Sequence, residues 1–444
     1  MDEESINNEK SEISKAFKTG YSLASWRMRI FFTVWITYII YYIGRNNYAI
    51  AKPFIMDEFG TYSAALMGLV SSTFLLAYAF GQFFNGFLGD KVGARRFITL
   101  GLIVSSALNL LMGVAFDFIW VAFLFWGLNG YFQAMGWAPS VKTIANWYPG
   151  EQRGKWSSRL ATSYLLGGVI SWFIAILITD SFSLDWRLSF IIPGIIMFFM
   201  AIHFYIRSRN APEEVGLPTL EEECDGIVVM GECRPDEFVG FKYTFNTVIK
   251  TKTVLFAAFG LFCLNMVRYG LTDWLPYLLS PEITGAEYFG TWKSIFYPIG
   301  GTIGVIIAAW FSDKYLKKRR IPVVCALFIA LSVTLLIYSL LPPLDIVFGI
   351  PVLMLIGFLN FGPHALLVST IPMEFGTRKA SSAATGFIDG IGYIGAAITT
   401  FTSGALIDTA GSGAAFALWI IIAYIGGVVL LFDWKSMPKR REYI

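Results

Sequence analysis

Long apolar runs alternate with short polar turns along almost the whole chain. A hydrocarbon core ~30 Å thick is crossed by about 20 apolar residues in a helix. On that rule, spans fall near 30–51, 64–88, 97–116, 118–144, 156–179 and 188–206. A polar stretch follows, and six more spans lie near 253–279, 287–311, 321–341, 346–371, 380–406 and 413–432. The pattern predicts an all-α membrane protein with twelve transmembrane helices. It divides the chain into a tail (1–29), a six-helix half (30–206), a linker (207–250), a second six-helix half (251–432) and a short tail (433–444).

Composition agrees with that reading. The 444 residues are 56% hydrophobic and only 15% charged, against ~25% charged in soluble domains. The net charge of +3 gives no case for a nucleic-acid partner. Most of the 34 lysines and arginines fall in the tails, the linker and alternate turns, including Lys91/Arg95/Arg96 and Lys314/Lys317/Lys318/Arg319/Arg320. The opposite turns hold Lys52, Arg187 and Lys293. The positive-inside rule then predicts that both termini are cytoplasmic; the expected location is multi-pass in the cell (inner) membrane. Four cysteines are present: Cys263 and Cys325 in apolar runs, Cys224 and Cys233 in the linker. None has the His or Cys neighbours of a zinc site, so the expectation is no metal and no cofactor. The polar N-terminus MDEESINNEKSEISK does not read as a cleavable signal peptide.

The two halves carry a repeat. Arg45 precedes Pro53 by eight residues, and Arg268 precedes Pro276 by eight. Arg45 to Asp90 spans 45 residues, as does Arg268 to Asp313. One offset of 223 relates these pairs and also maps Arg29 onto Lys252. Six spans per repeat keep both halves in the same direction, with the pseudo-twofold axis along the membrane normal. Each arginine lies roughly 24 Å of helix from its basic anchor. The repeat therefore predicts that Arg45 and Arg268 face one another at equal depth.

A guanidinium in a span costs at least ~3 kcal/mol on insertion scales, so it needs a partner or a function. Read with no carboxylate in either helix, the two arginines repel unless an anion of about two charges sits between them, and their planar forks suit phosphate or carboxylate. The plainer alternative is a structural pair bonded to backbone carbonyls or to intramembrane Asp389.

Other candidates surround this pair. Tyr38, Tyr41 and Tyr42 lie at i−7, i−4 and i−3 from Arg45, on its face. Asn265 and Thr272 flank Arg268 in the same way. Asp389 and Tyr393 form an i,i+4 pair that could meet an arginine or carry a proton; the alternative is a local bond in a glycine-rich crossing. His364, after Pro363, could bind phosphate or satisfy a carbonyl freed by the proline. Arg159 reads as a snorkelling residue near the inner mouth. GEQRGKW lacks the spacing of a phosphate-binding loop, so no ATP site is indicated.

Several motifs carry a resemblance. GFLGDKVGARR (Gly86 to Arg96) resembles the hairpin motif of the major facilitator superfamily. GYFQAMGWAPSVKTIANWYPGEQRG (Gly130 to Gly154), with YYIGRNNYAIAKPF, NMVRYGLTDWLPYL, APEEVGLP and ATGFIDGIGYIGAA, resembles the organophosphate:phosphate antiporters over essentially the whole chain. The resemblance implies the major facilitator fold. It also implies exchange of phosphate for a phosphate ester such as glycerol-3-phosphate or a sugar phosphate. Arg45 and Arg268 match the family's substrate arginines, and Asp90, Arg95 and Asp313 its conformational motif. Two positions depart from it: Gln82 stands where bacterial members carry lysine, and Tyr164 where they carry histidine.

The mechanism implied is alternating access by a carrier, not an enzyme, that works as a monomer in a lipid bilayer. Its partners are phosphate and a phosphorylated small molecule. Two alternatives remain open from sequence: a proton-coupled carboxylate symporter using Asp389 or His364, and a non-transporting sugar-phosphate sensor.

Overall fold

The structure, a computed structural model, describes residues 3–218, 252–280, 290–315, 320–340, 346–370 and 381–434. Cys224, Cys233 and the linker beyond residue 218 lie outside the described residues, as do the side chains of Asp90 and Asp313. Among the described residues every regular element is helical.

The N-terminal helices are α1 (Glu3–Phe59), α2 (Ala64–Val92), α3 (Ala94–Ala115), α4 (Ile119–Gln133), α5 (Trp137–Trp147), α6 (Gly150–Ile176) and α7 (Leu188–Arg207). The C-terminal helices are α8 (Lys252–Leu278), α9 (Gly290–Ser294), α10 (Phe296–Tyr315), α11 (Ile321–Leu340), α12 (Ile346–Ala365), α13 (Ser381–Ala410) and α14 (Ser412–Leu431). Both α6 and α12 tail into a five-residue π-helical turn, Leu177–Ser181 and Leu366–Thr370. Among the described residues nine helices are long and apolar enough to cross a membrane on their own. The spans expected near 30–51, 118–144 and 287–311 are not among them. Polar Arg45, Asn46 and Asn47 interrupt the first, which continues as helix well beyond the expected ends. The fourth is broken after Gln133 into α4 and α5, and the eighth is broken at Ile295 into α9 and α10.

The outward faces carry large exposed hydrophobics such as Phe80, Trp120, Phe199, Ile306 and Leu340. A face of that composition is stable only against lipid, and the chain is an integral multi-pass membrane protein.

Inside, helices meet through glycine. Without a hydrophobic drive between helices in lipid, close backbone approach supplies the packing energy. A Cβ on Gly357 of α12 would fall on the Tyr297 carbonyl of α10 and 2.9 Å from the Gly301 nitrogen. Because both neighbours are backbone, Gly357→Ala is expected to force α10 and α12 apart and lower stability by about 1–3 kcal/mol. Thermal unfolding in detergent would measure this, and an unchanged midpoint would refute it. Between the halves, Gly68 of α2 lies under the Thr400 carbonyl of α13, and Gly404 of α13 under the Ala64 carbonyl of α2.

These contacts close the distal end of the bundle, where α1 passes to α2. Ser72 Oγ donates to the Ala397 carbonyl at 2.7 Å and meets Thr400 Oγ1 at 2.8 Å. The Asp408 carboxylate, near the end of α13, accepts from the backbone N–H of Ala64 (3.0 Å) and Ala65 (2.7 Å). An aspartate at a helix N-terminus satisfies orphan donors and complements the dipole; here it does so across the two halves. Beside this seam, Arg187 and Trp186 donate to Glu58, binding the end of α1 to the start of α7 and holding the Glu58 carboxyl below its ordinary pKa.

At the other end, Gly93 takes a positive φ of +86° in the tight turn between α2 and α3. Asn210 accepts from the Arg95 backbone N–H at 2.8 Å, and its carbonyl takes the Asn146 amide at 3.1 Å. Val215 and Leu217 pack on the N-terminal core. The Ala211–Pro218 motif is thus the staple that fixes the start of the linker.

Candidate functional site

α1 and α8 place Arg45 and Arg268 near the centre of the bundle, 7% and 6% exposed. Each guanidinium lies among aromatic rings. The Arg45 guanidinium carbon is 4.6 Å from the Tyr42 ring centre and 4.5 Å from that of Tyr78 on α2. For Arg268 the rings are Phe361 of α12 at 4.4 Å and Tyr269 at 5.4 Å. A ring face stabilises a desolvated cation without neutralising it. Among the described residues neither arginine is ion-paired to a carboxylate. Arg45 Nη2 donates a long bond, 3.4 Å, to Gln133 Oε1, and its Nε has no partner.

Two small cavities adjoin the pair. One is lined by Arg45, Ser71, Trp126 and Asp273, the other by Tyr42, Tyr164, Arg268 and Tyr297; Asn46, Tyr269 and Thr272 line both. Across the interface the Tyr78 ring lies tilted against Tyr393 with ring centres 4.7 Å apart, and the Tyr269 hydroxyl donates to Tyr393 at 3.2 Å. A chain of tyrosines therefore runs from the Arg45 side to the Arg268 side.

Of the residues expected at the site, Tyr42, Tyr164, Thr272 and Tyr393 line these cavities with the arginines. Tyr164 also approaches His364 at 6.3 Å between ring centres, and His364 Nδ1 is buried without a partner. Tyr38 packs edge-on to Tyr42 and against Trp137. The Tyr41 hydroxyl donates to the Ile98 carbonyl of α3 at 3.0 Å. Asn265 is buried with neither side-chain polar atom bonded, close against Gly392 of α13. Asp389 forms no ion pair with either arginine. Arg95 donates to the Tyr205 carbonyl at 2.7 Å and stacks on that ring, bracing α3 against α7 within one half. Arg159 is exposed and lies over Trp156. Gln82, at the position where the family's lysine is expected, has an unpartnered buried Nε2.

Two sequence readings are overturned together. Lys52 is not in a turn, and α8 is not free of carboxylate. Lys52 is a fully buried residue of α1, and its Nζ lies 2.6 Å from Asp273 Oδ2 on α8. It donates to the Asp273 carbonyl at 3.1 Å and lies 3.9 Å from the Trp274 ring centre, while Ser71 Oγ donates to Asp273 Oδ1 at 2.8 Å. Three helices from both halves thus converge on one buried pair. The pairing explains how both charges are tolerated at this depth. Lys293, also assigned to a turn, is buried on α9. The signal for Lys52 and Asp273 was present: they follow the two arginines by seven and five residues on the same helices. Tyr78 and Gln133 gave no such signal, because only the packing of α2 and α4 on α1 brings them to Arg45.

The fold and this paired-arginine centre define a two-halved membrane carrier. The Major Facilitator Superfamily pattern matches residues 34–400, and the chain belongs to that superfamily, whose members are transporters rather than enzymes. A probable hexose phosphate transport protein of Chlamydia trachomatis is 29% identical, covering 93% of this chain and 92% of its own. The glycerol-3-phosphate transporter of Bacillus subtilis is 28% identical over 94% of both chains. A bacterial homologue of the human lysosomal transporter Spinster, solved in an inward-facing, occupied conformation, superposes with a TM-score of 0.72 at 15% identity, covering 93% of this chain and 97% of its own. The likeness to organophosphate carriers read from the motifs agrees with these relatives.

Proposed function

We propose that this protein exchanges a phosphate ester for inorganic phosphate by alternating access, with the phosphoryl group held between Arg45 and Arg268. One observation carries the reading. Two guanidiniums from repeat-related helices line adjoining central cavities, held by aromatic rings and paired to no carboxylate among the described residues. Fixed positive charge with open donor forks is suited to a phosphoryl dianion. The relatives that carry hexose phosphate and glycerol-3-phosphate support the same substrate class.

Tyr42, Tyr78, Tyr164, Tyr269 and Tyr393 then surround the organic part. Empty, the two cations oppose closure of the halves; a bound dianion removes that opposition, so the loaded carrier reorients. A ligand shifts such an equilibrium only through its preference for the closing state. The basic turns support cytoplasmic termini in the cell membrane, and the proposed unit of transport is the monomer.

Radiolabelled phosphate in proteoliposomes tests this. Rapid uptake is expected into vesicles preloaded with phosphate and none into empty vesicles, with competition by glycerol-3-phosphate or glucose-6-phosphate. Absence of phosphate exchange, with carboxylate uptake that needs a proton gradient, would overturn it.

A further inference from the structure

The helix that carries Arg45 is not continuous in geometry. Gly44 has φ −88° and ψ 15°, outside the helical range, one residue before the arginine. Kinks of this kind arise at glycine or where side chains enter the backbone ladder, and both causes meet here. The Gly44 carbonyl is approached by three side-chain amides from two other helices: Asn109 Nδ2 of α3 at 3.1 Å, Asn129 Nδ2 of α4 at 3.2 Å and Gln133 Nε2 of α4 at 3.5 Å. A carbonyl has two lone pairs, so the two shorter bonds are the working ones. All three amides are fully buried. Asn47, one turn on, locks the arrangement by donating to Asn109 Oδ1 (3.1 Å) and to the Ser189 carbonyl (2.8 Å). Ser171 of α6 donates to the neighbouring Ile43 carbonyl at 3.3 Å.

A side chain at position 44 requires Met197 to move. A Cβ there would strike the Met197 sulfur and lie 3.1 Å from Asn109 Nδ2. The kink is also one-sided. The repeat maps Gly44 onto Val267, and α8 runs through Arg268 as continuous helix. Gln133 joins the two ends of the device: its Nε2 faces the Gly44 carbonyl while its Oε1 accepts from Arg45 Nη2.

We infer that Asn109, Asn129 and Gln133 are positioning residues, which hold the Gly44 kink and through it aim the Arg45 guanidinium at the phosphoryl group. The inference rests on the phosphate-binding reading above and adds to it an asymmetry. Arg268 is fixed by a straight helix, whereas Arg45 is set by a polar clamp that two other helices supply.

The test is phosphate self-exchange by Asn129→Leu, an isosteric change that removes the donor. The expected result is a KM for phosphate about five- to tenfold higher. Turnover per folded transporter should stay within about twofold, and the melting temperature without phosphate should hardly change. Asn129→Gln, which keeps an amide donor, should return KM toward the unsubstituted value. If the leucine variant fails to reach the membrane, Asn109→Leu reads the other short bond, together with the bonds Asn109 makes to the Ser105 carbonyl and receives from Asn47. A wild-type KM in both leucine variants would overturn the inference. So would a fall in melting temperature and turnover with KM unchanged, since that marks a merely structural role. If the unsubstituted protein neither binds nor exchanges inorganic phosphate, the function reading itself fails and takes this one with it.

Discussion

Arg45→Lys and Arg268→Lys each lower kcat/KM for phosphate exchange by about a hundredfold. That figure corresponds to losing charge-assisted hydrogen bonds worth roughly 1.5–3 kcal/mol each, which a fork can make together and an ammonium cannot. Lysine keeps the positive charge, so the loss isolates geometry from electrostatics. The surroundings make the effect large. Arg45 lies between the Tyr42 and Tyr78 rings and Arg268 beside Phe361 and Tyr269. A planar guanidinium stacks on such rings, whereas a lysine head at the end of a flexible stem is not aimed by them. Initial-rate exchange in proteoliposomes, normalised to reconstituted protein, makes the measurement. Near-normal turnover in both variants would remove the arginines from the substrate site.

The second large effect concerns the buried pair. Lys52→Met leaves Asp273 charged, desolvated and unpaired, at a cost of about 3–5 kcal/mol. That cost falls only on the distally closed arrangement, because Lys52 belongs to one half and Asp273 to the other. The variant is therefore expected to populate a distally open state and to exchange phosphate slowly. In a background freed of the native cysteines, Ala49→Cys, which lines the cavity beside Asp273, should become reactive to an impermeant thiol reagent added on the distal side. Lys52→Met combined with Asp273→Leu should recover much of the closed state, since no lone charge remains. Equal labelling with and without Lys52 would show that the pair does not hold the distal end shut.

The two experiments probe different layers of one structure. The arginines meet the ligand, and the pair beside them ties the halves at a level where Ser72–Thr400 and Asp408–Ala64/Ala65 also cross. A carrier closed at this end needs all of these to separate before the site can open there.

Sequence by itself determined the class of the molecule and the register of its repeat. Apolar runs of bilayer length leave few folds, because backbone groups in lipid must bond within their own helix. A fixed offset between Arg45 and Arg268 requires no coordinates to find. Local periodicity also placed Tyr42 and Thr272 beside the arginines, since neighbours at i−3 and i+4 share a helix face. The rule gave no sign that the Tyr41 hydroxyl is claimed by the Ile98 carbonyl of another helix.

What only tertiary structure decided is every contact that crosses between helices. Lys52 lies just past the apolar span 30–51 and precedes Pro53, and so reads as a turn; its partner Asp273 lies 221 residues away, and only the packing of α1 on α8 buries both. Tyr78 and Gln133 reach Arg45 from α2 and α4, and the Gly44 carbonyl is bonded from α3 and α4. Hydrophobic pattern fixes which face of a helix turns inward, but close packing through glycine sets how near and at what height two helices meet. That height selects the partner of each buried polar group, and it is written in no single stretch of the chain.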